Sequence, residues 1–274
     1  MRLRINHSTT YRYDPPASSV IQILRMTPSN HDGQYVVDWQ IDVSTDSRLD
    51  MHEDAFGNIT HVLTNGTTGD MTVHVSGLIE TTDTAGVLRG TDERFPPSLF
   101  LRATDLTAAS PVMQDMMRDI RAETATDDLG FLHQLMVRIN DHMTFDTDPT
   151  HSSTSAQEAF DLRRGVCQDY AHIFIACARA GGVPARFVSG HFLRADGEVQ
   201  QEAGHAWAEA HLPALGWVGF DPANGICTTE AHARVAIGLD YLGAAPVRGT
   251  RYGGGHETLS VTVAVDQAGR QSQS

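Results

Sequence analysis

The hydrophobic period of this chain changes twice, and those changes segregate the expected strands and helices along the sequence. Over the first ninety residues Leu3, Ile5, His7, Thr9, Tyr11 and Tyr13 alternate with polar or charged neighbours, as do Val37, Trp39, Ile41 and Val43 with Asp38, Gln40 and Asp42. A period of two sends successive side chains to opposite faces, so both stretches are expected as half-buried strands. Residues 54–65 place a turn at Gly57-Asn58 ahead of another strand, and Met71, Val73, Val75 and Ile79 continue the alternation. An antiparallel sandwich or curled sheet is therefore expected over residues 1–95.

From about Ser98 the period lengthens to that of a helix. Ser110 reads as an N-cap with Pro111 at the first helical position, and Met113, Met116, Met117 and Ile120 fall on one face. Phe131, Leu132, Leu135, Met136 and Ile139 form the stripe of a second helix. A third, short one opens at a Ser155–Glu158 capping box and stops near Gly165. The fourth follows directly, with Tyr170, Ile173, Phe174 and Cys177 as its buried stripe and Gly181-Gly182 as its stop. Strands return over 185–193, 204–212 and 216–221, with a hairpin turn at Asp196-Gly197 and a last clear strand at Leu259 to Val265. The expected organisation is two domains, 1–95 and 96–268, with a frayed tail at 269–274.

Charge and cysteine usage narrow the function. A formal charge of -14 at pH 7 opposes nucleic acid or an anionic membrane as partner, since both require a basic face. Peptides, proteins or small molecules remain as substrates. No apolar run approaches the roughly 20 residues that span a bilayer, and nothing near Met1 resembles a leader, so a cytoplasmic chain is expected. Cys167, Cys177 and Cys227 contain no C-x-x-C pair, which fits a reducing compartment and a free thiol. The chain has no lysine: all 20 of its Lys+Arg residues are arginine.

Cys167 opens the fourth helix, where unpaired backbone N–H groups and the positive end of the macrodipole stabilise a thiolate. The commonest fate of a cysteine is a buried structural thiol, and Cys177, in mid-helix on the apolar stripe, is assigned to it. Cys227 follows Asn224-Gly225 in a loop with no base close in sequence and receives no role. In G-H-A-W-A-E-A-H-L (204–212) strict alternation puts His205, Trp207, Glu209 and His211 on one face and Ala206, Ala208, Ala210 and Leu212 on the other. A metal site is the rival reading, but six strand residues separate His205 from His211 by about 20 Å, too far to share an ion. His211 is read as a surface or hydrogen-bonded strand residue. In G-W-V-G-F-D-P (216–222) Asp221 ends a strand before Pro222, the usual place of an Asx turn. The tight P-A-L-G connection between these strands makes a hairpin that can bring Asp221 to His205, where a carboxylate fixes the imidazole tautomer.

The ordered motifs G-V-C-Q-D-Y-A-H, G-V-P-A-R-F-V-S-G, H-A-W-A-E and W-V-G-F-D-P resemble the bacterial transglutaminase-like family, a branch of the papain-like thiol enzymes. The opening strands, including D-A-F-G-N-I-T-H-V-L-T, are similar to the β domain that precedes its catalytic core. The resemblance implies a papain-like α+β core with a nucleophile helix packed on an antiparallel sheet, and Cys167, His205 and Asp221 as its catalytic residues. It also implies acyl transfer on peptide or glutamine-type amides through a Cys thioester, with amine or water as acceptor. The Cys167 backbone N–H is expected as one oxyanion donor. No metal or cofactor is expected, calcium included, because no D-x-D-x-D-G loop occurs. The competing class is a peptide-binding module that kept the fold without the chemistry.

Overall fold

The computed structural model describes residues 1–269. Its first sheet is built on β1 (Arg2–Thr27), followed by β2 (Gln34–Val43), β3 (Arg48–Glu53), β4 (Ile59–Asn65) and β5 (Thr68–Thr81). The alternating residues of β1 are buried as their period requires, from Leu3 and Ile5 through His7, Thr9, Tyr11 and Tyr13. Pro15 and Pro16 have no N–H to donate, and the β1–β5 ladder breaks between Arg12 and Ala17. Beyond the break β1 takes β4 as its neighbour instead. β2, which lies beyond β5, and β3, which lies beyond β4, send Ile41, Val43 and Leu49 to the same core as Tyr11, Leu24, Leu63 and Val73, so this side of the sheet is curled over its inner face. Gly77 of β5 lies under the Trp39 ring, where an added Cβ would stand 2.2 Å from a ring carbon.

The helical stretch begins after β6 (Val87–Leu88) and a 3₁₀ turn at Pro97–Leu101. α1 (Pro111–Thr124) is capped by Ser110, and α2 (Asp128–His142) buries all five residues of its expected stripe. A short β7 (Thr144–Phe145) leads to α3 (Ala156–Leu162), where the Ser155–Glu158 capping box forms in both directions. The helix ends at Arg163, in the left-handed region (φ 57), two residues before the expected stop. β8 (Arg164–Gly165) pairs with β7 and delivers the chain to α4 (Cys167–Ala180).

The second sheet comprises β9 (Ala185–Phe192), β11 (His205–Leu212), β12 (Gly216–Asp221), β13 (Ile226–Cys227) and β14 (His232–Gly238), in the order β13-β12-β11-β9-β14, with β6 added beside β12; β10 (Gln200–Gln201) lies in the 193–204 loop. Helix α4 packs on β11, whose Ala206, Ala208 and Ala210 face the helical core; side chains this small admit the helix closely. After α5 (Tyr241–Ala244) the chain ends in β15 (Val247–Gly253) and β16 (His256–Gln267).

Two expectations are corrected here, and a third falls largely outside the described residues. The stretch 247–267, assigned by sequence to the second unit, pairs with β1 and completes the first sheet, because β1 has two ladder edges and β4 and β5 fill only one. Asp196-Gly197 does form a turn, with Gly197 at φ 82, but not a tight hairpin: the loop carries β10 out to pair with β16. The expected tail at 269–274 falls on Gly269 and five residues outside those described. Ala268 just before it is tied down, its N–H donating to the Arg2 carbonyl at 3.0 Å with the side chain buried.

Leu3, Ile5, Ile79, Val263 and Val265 of the first sheet enclose Ala233 of β14, and Phe56 packs on Val188, Trp207 and Ile237 of the second sheet. No helix among the described residues is long and apolar enough to cross a membrane.

Candidate active site

Cys167 is the first residue of α4 and is half-buried, and the local sequence explains its setting. The Asp169 carboxylate folds back to accept the Val166 N–H at 2.8 Å and the Thr150 hydroxyl at 2.7 Å, which ties the 146–154 loop to the helix start. Gly165 leaves room for that carboxylate; a Cβ there would meet Asp169 Oδ2 at 2.4 Å. Burial raises the pKa of Asp169, against the two hydrogen bonds. The N–H groups of Cys167 and Gln168 have no carbonyl four residues back within the helix and remain at the helix mouth beside the sulfur.

His205 opens β11 and Asp221 closes β12. Their strands pair Ala208 with Phe220, which sets Asp221 opposite Trp207 and one diagonal step from His205. His205 Nε2 lies 2.6 Å from Asp221 Oδ2, leaving Nδ1 for Cys167. Burial opposes a charge on His205, but the Asp221 carboxylate and then the Cys167 sulfur outweigh it and raise the imidazole to about 10. Asp221 is fully buried. Desolvation would raise it, yet His205 and His232 hold it far below the usual carboxylate range. Cys167, His205 and Asp221, the three residues singled out in the sequence, therefore converge at one end of the sheet.

Further side chains complete the surroundings. Asn224 donates its backbone N–H to Asp221 Oδ1 at 3.2 Å and its side-chain amide to Oδ2 at 2.7 Å, closing the Asx turn after the strand. Phe192 and Trp207 flank the imidazole, with ring centroids 5.1 and 6.1 Å away. Tyr241 donates its backbone N–H to His172 Nε2 on α4; burial, then the nearby Cys167, raises its phenol pKa. A residue that sequence reasoning missed is His232, whose Nε2 lies 3.1 Å from Asp221 Oδ2. The signal was present as the apolar run Ala233–Val235–Ile237 directly after a histidine, an extra strand between 222 and 259.

His205, Asp221 and His232 offer three ligand atoms within 4.8 Å of one another, which is compact enough for a metal ion. The hydrogen bonds assign those atoms differently. His232 Nδ1 accepts the Thr229 N–H at 3.1 Å, so Nε2 carries the proton and donates it to Asp221, leaving no lone pair there for an ion.

The remaining expectations resolve individually. Glu209 shares the His205 face but is sealed away from the site, bonded to Arg186 Nε at 2.6 Å and Arg234 Nε at 2.7 Å. Arg186, also fully buried, stacks 3.9 Å from the Trp217 ring centroid and reaches Glu93. His211 packs edge-on against Trp217, and burial lowers its pKa. Cys177 is fully buried and pushed up to about 12 by desolvation; Cys227 is half-buried and raised by the same cause.

The family model described as transglutaminase-like superfamily matches residues 115–222, and that described as bacterial transglutaminase-like N-terminal region matches residues 3–80. Uncharacterized proteins of Mycobacterium leprae and Mycobacterium tuberculosis are 27% and 29% identical, covering 96% and 97% of this chain and 98% and 92% of their own. A protein-glutamine gamma-glutamyltransferase of Pseudomonas aeruginosa is 36% identical over 109 residues, 35% of this chain and 16% of that one. Among solved structures, a candidate cysteine protease from Cytophaga hutchinsonii superposes with a TM-score of 0.75 at 18% identity, covering 97% of this chain and 90% of that one. This likeness shows that the fold expected from the motifs, a papain-like α+β core behind an antiparallel β region, is the fold the chain adopts.

Proposed function

We propose, for a chain that belongs to the transglutaminase-like superfamily and carries its bacterial N-terminal region, that it is a thiol enzyme acting on amides of peptide or protein substrates. The observation that carries this reading is the 2.6 Å bond from His205 to a buried Asp221, with the Cys167 sulfur as a second neighbour that raises the same imidazole. An imidazolium held between a carboxylate and a sulfur favours a thiolate–imidazolium pair.

The Cys167 thiolate attacks the substrate carbonyl carbon, and the resulting oxyanion is met by the backbone N–H groups at the start of α4. His205 gives its Nδ1 proton to the departing nitrogen, the C–N bond breaks, and a thioester forms on Cys167. Asp221 holds the imidazole in register and balances its charge. Neutral His205 then accepts a proton from water or a primary amine as it attacks the thioester, which restores the thiolate–imidazolium pair. Water gives hydrolysis or deamidation; an amine gives a new amide bond. The free thiols support a reducing compartment.

Mass spectrometry of glutamine-containing peptides incubated with the protein, with and without a primary amine, tests the reading. Addition of the amine marks transfer, a gain of about one mass unit marks deamidation, and a cut backbone marks proteolysis. Alkylation by iodoacetamide at neutral pH is expected at Cys167 ahead of Cys177 and Cys227, whose thiols burial raises. Equal, slow labelling of all three cysteines would favour a binding module over an enzyme.

A further inference from the structure

Resting on Cys167, His205 and Asp221 as the reacting groups, we propose that His232 is a positioning residue for Asp221, and that the N-terminal sheet acts on the reaction by holding His232 in place. His232 is almost fully buried, and both its ring nitrogens are committed: Nδ1 accepts the Thr229 N–H and Nε2–H donates to Asp221 Oδ2. Oδ2 therefore receives His205 from one side while His232 and Asn224 fix it from others. A neutral donor suits this place. It restrains the carboxylate without taking the charge that His205 needs, and burial keeps His232 on the neutral side.

The support reaches back into the first sheet. β14, the strand that begins with His232, pairs with β9 along one edge and stands at the end of its sheet. Two buried amides from the first sheet occupy the other edge. Gln34 donates Nε2–H to the Arg234 carbonyl at 2.9 Å and accepts the Arg234 N–H at 2.8 Å. Asn58 donates to the Ile237 carbonyl at 2.8 Å and accepts the Ile237 N–H at 2.8 Å. Each amide side chain makes the donor–acceptor pair that a neighbouring strand residue would make. Thr81 adds a hydroxyl donor to the Glu230 carbonyl at 2.6 Å, two residues before His232. Side chains from three segments of the N-terminal region thus hold residues 230–237, and through His232 they hold Asp221.

The test reads the rate at which iodoacetamide alkylates Cys167, mapped to its peptide, from pH 5 to 9, together with the downfield proton resonance of the His205–Asp221 hydrogen bond. The chains compared are the wild type, His205→Ala, His232→Ala, His232→Gln, which keeps an N–H donor, and Gln34→Ala. The expected result is a slow His205→Ala, a His232→Ala slowed at least about tenfold with the resonance displaced, recovery of most of the rate in His232→Gln, and an intermediate Gln34→Ala. Wild-type rate and an unmoved resonance in His232→Ala, beside a slow His205→Ala, would overturn the positioning role alone. A wild-type rate in His205→Ala would remove the thiol-enzyme reading beneath it. Should His232→Ala fail to fold, Gln34→Ala decides: the wild-type rate and resonance there would overturn the proposal.

Discussion

His205 and Asp221 meet at 2.6 Å across one diagonal step of the β11–β12 ladder, so a carboxylate with no exposed surface is joined to an imidazole that is still 12% exposed. Every donor around Asp221 is arranged for an anion: His205, His232 and both nitrogens of Asn224.

Asp221→Asn is therefore expected to reverse the polarity of that cage, pointing an amide at groups that are themselves donors. Turnover should fall about 10³-fold. The same change should cost about 3 kcal/mol of stability, because it leaves buried donors unpaired. Peptide turnover and urea unfolding check the two effects separately; an Asn variant within twofold of wild type would remove Asp221 from the mechanism.

Stability should be greatest near neutral pH and fall on both sides. Burial lowers His7, His31 and His172 to about 4 and His191 to about 3, so in the acid range the unfolded chain takes up protons below about 6.5 that the native chain does not. Stability thus drops as pH falls from about 6.5 to 4. His205 works in the opposite sense: burial would lower it, but Asp221 and then Cys167 raise it to about 10. Its contribution is complete below about 6.5 and is lost as pH rises towards 10. Thermal unfolding midpoints at pH 4.5, 7 and 9.5 check this; a midpoint unchanged between 7 and 4.5 would contradict the acid limb.

Glu209→Ala should destabilise the fold by about 3–5 kcal/mol by leaving two enclosed guanidinium groups without their shared carboxylate. Arg186 is fully buried, and Glu209 is held well below its ordinary pKa, to about 2, by Arg234 and Arg186 against desolvation. Glu209→Gln should cost less, since its amide oxygen still accepts. Denaturant midpoints of the two variants, measured side by side, give the comparison.

Gly190→Ala should damage both fold and site. Gly190 pairs with His205, and a Cβ added to it would stand 2.2 Å from the Ala233 carbonyl and 2.7 Å from the Trp207 ring. Overpacking of this kind costs about 1–3 kcal/mol. Because the displaced groups include the strand beside His232, Cys167 alkylation should slow as well. A variant with wild-type stability and labelling would show that β9 yields more readily than the packing implies.

Much of the molecule was legible from local pattern. Strand period placed the buried residues of β1 and β5, capping residues placed α1 and α3, and the position of Cys167 at a helix start followed from the stripe behind it. His205 and Asp221 were found because a short connection joins their strands, so their meeting depended on local chain geometry. Hydrophobic period tells which face of a strand is buried, but not which strand it will lie beside. That is why residues 247–267 were expected beside the helices when they pair with β1, and why Glu209, on the right face, was not recognised as enclosed by arginines from β9 and β14.

The sequence by itself determined the alternation of strands and helices, the thiol at a helix mouth and the histidine and aspartate that follow it. Each rests on residues close enough in the chain for covalent geometry to relate them. Tertiary structure alone decided what surrounds Asp221 and what holds β14: His232 comes from a strand three ladders away, and Gln34 and Asn58 act across 200 and 179 residues of chain. Contacts at such separations exist only once the two sheets have packed against one another, because no local preference favours an amide side chain over any other partner until burial removes water as its competitor.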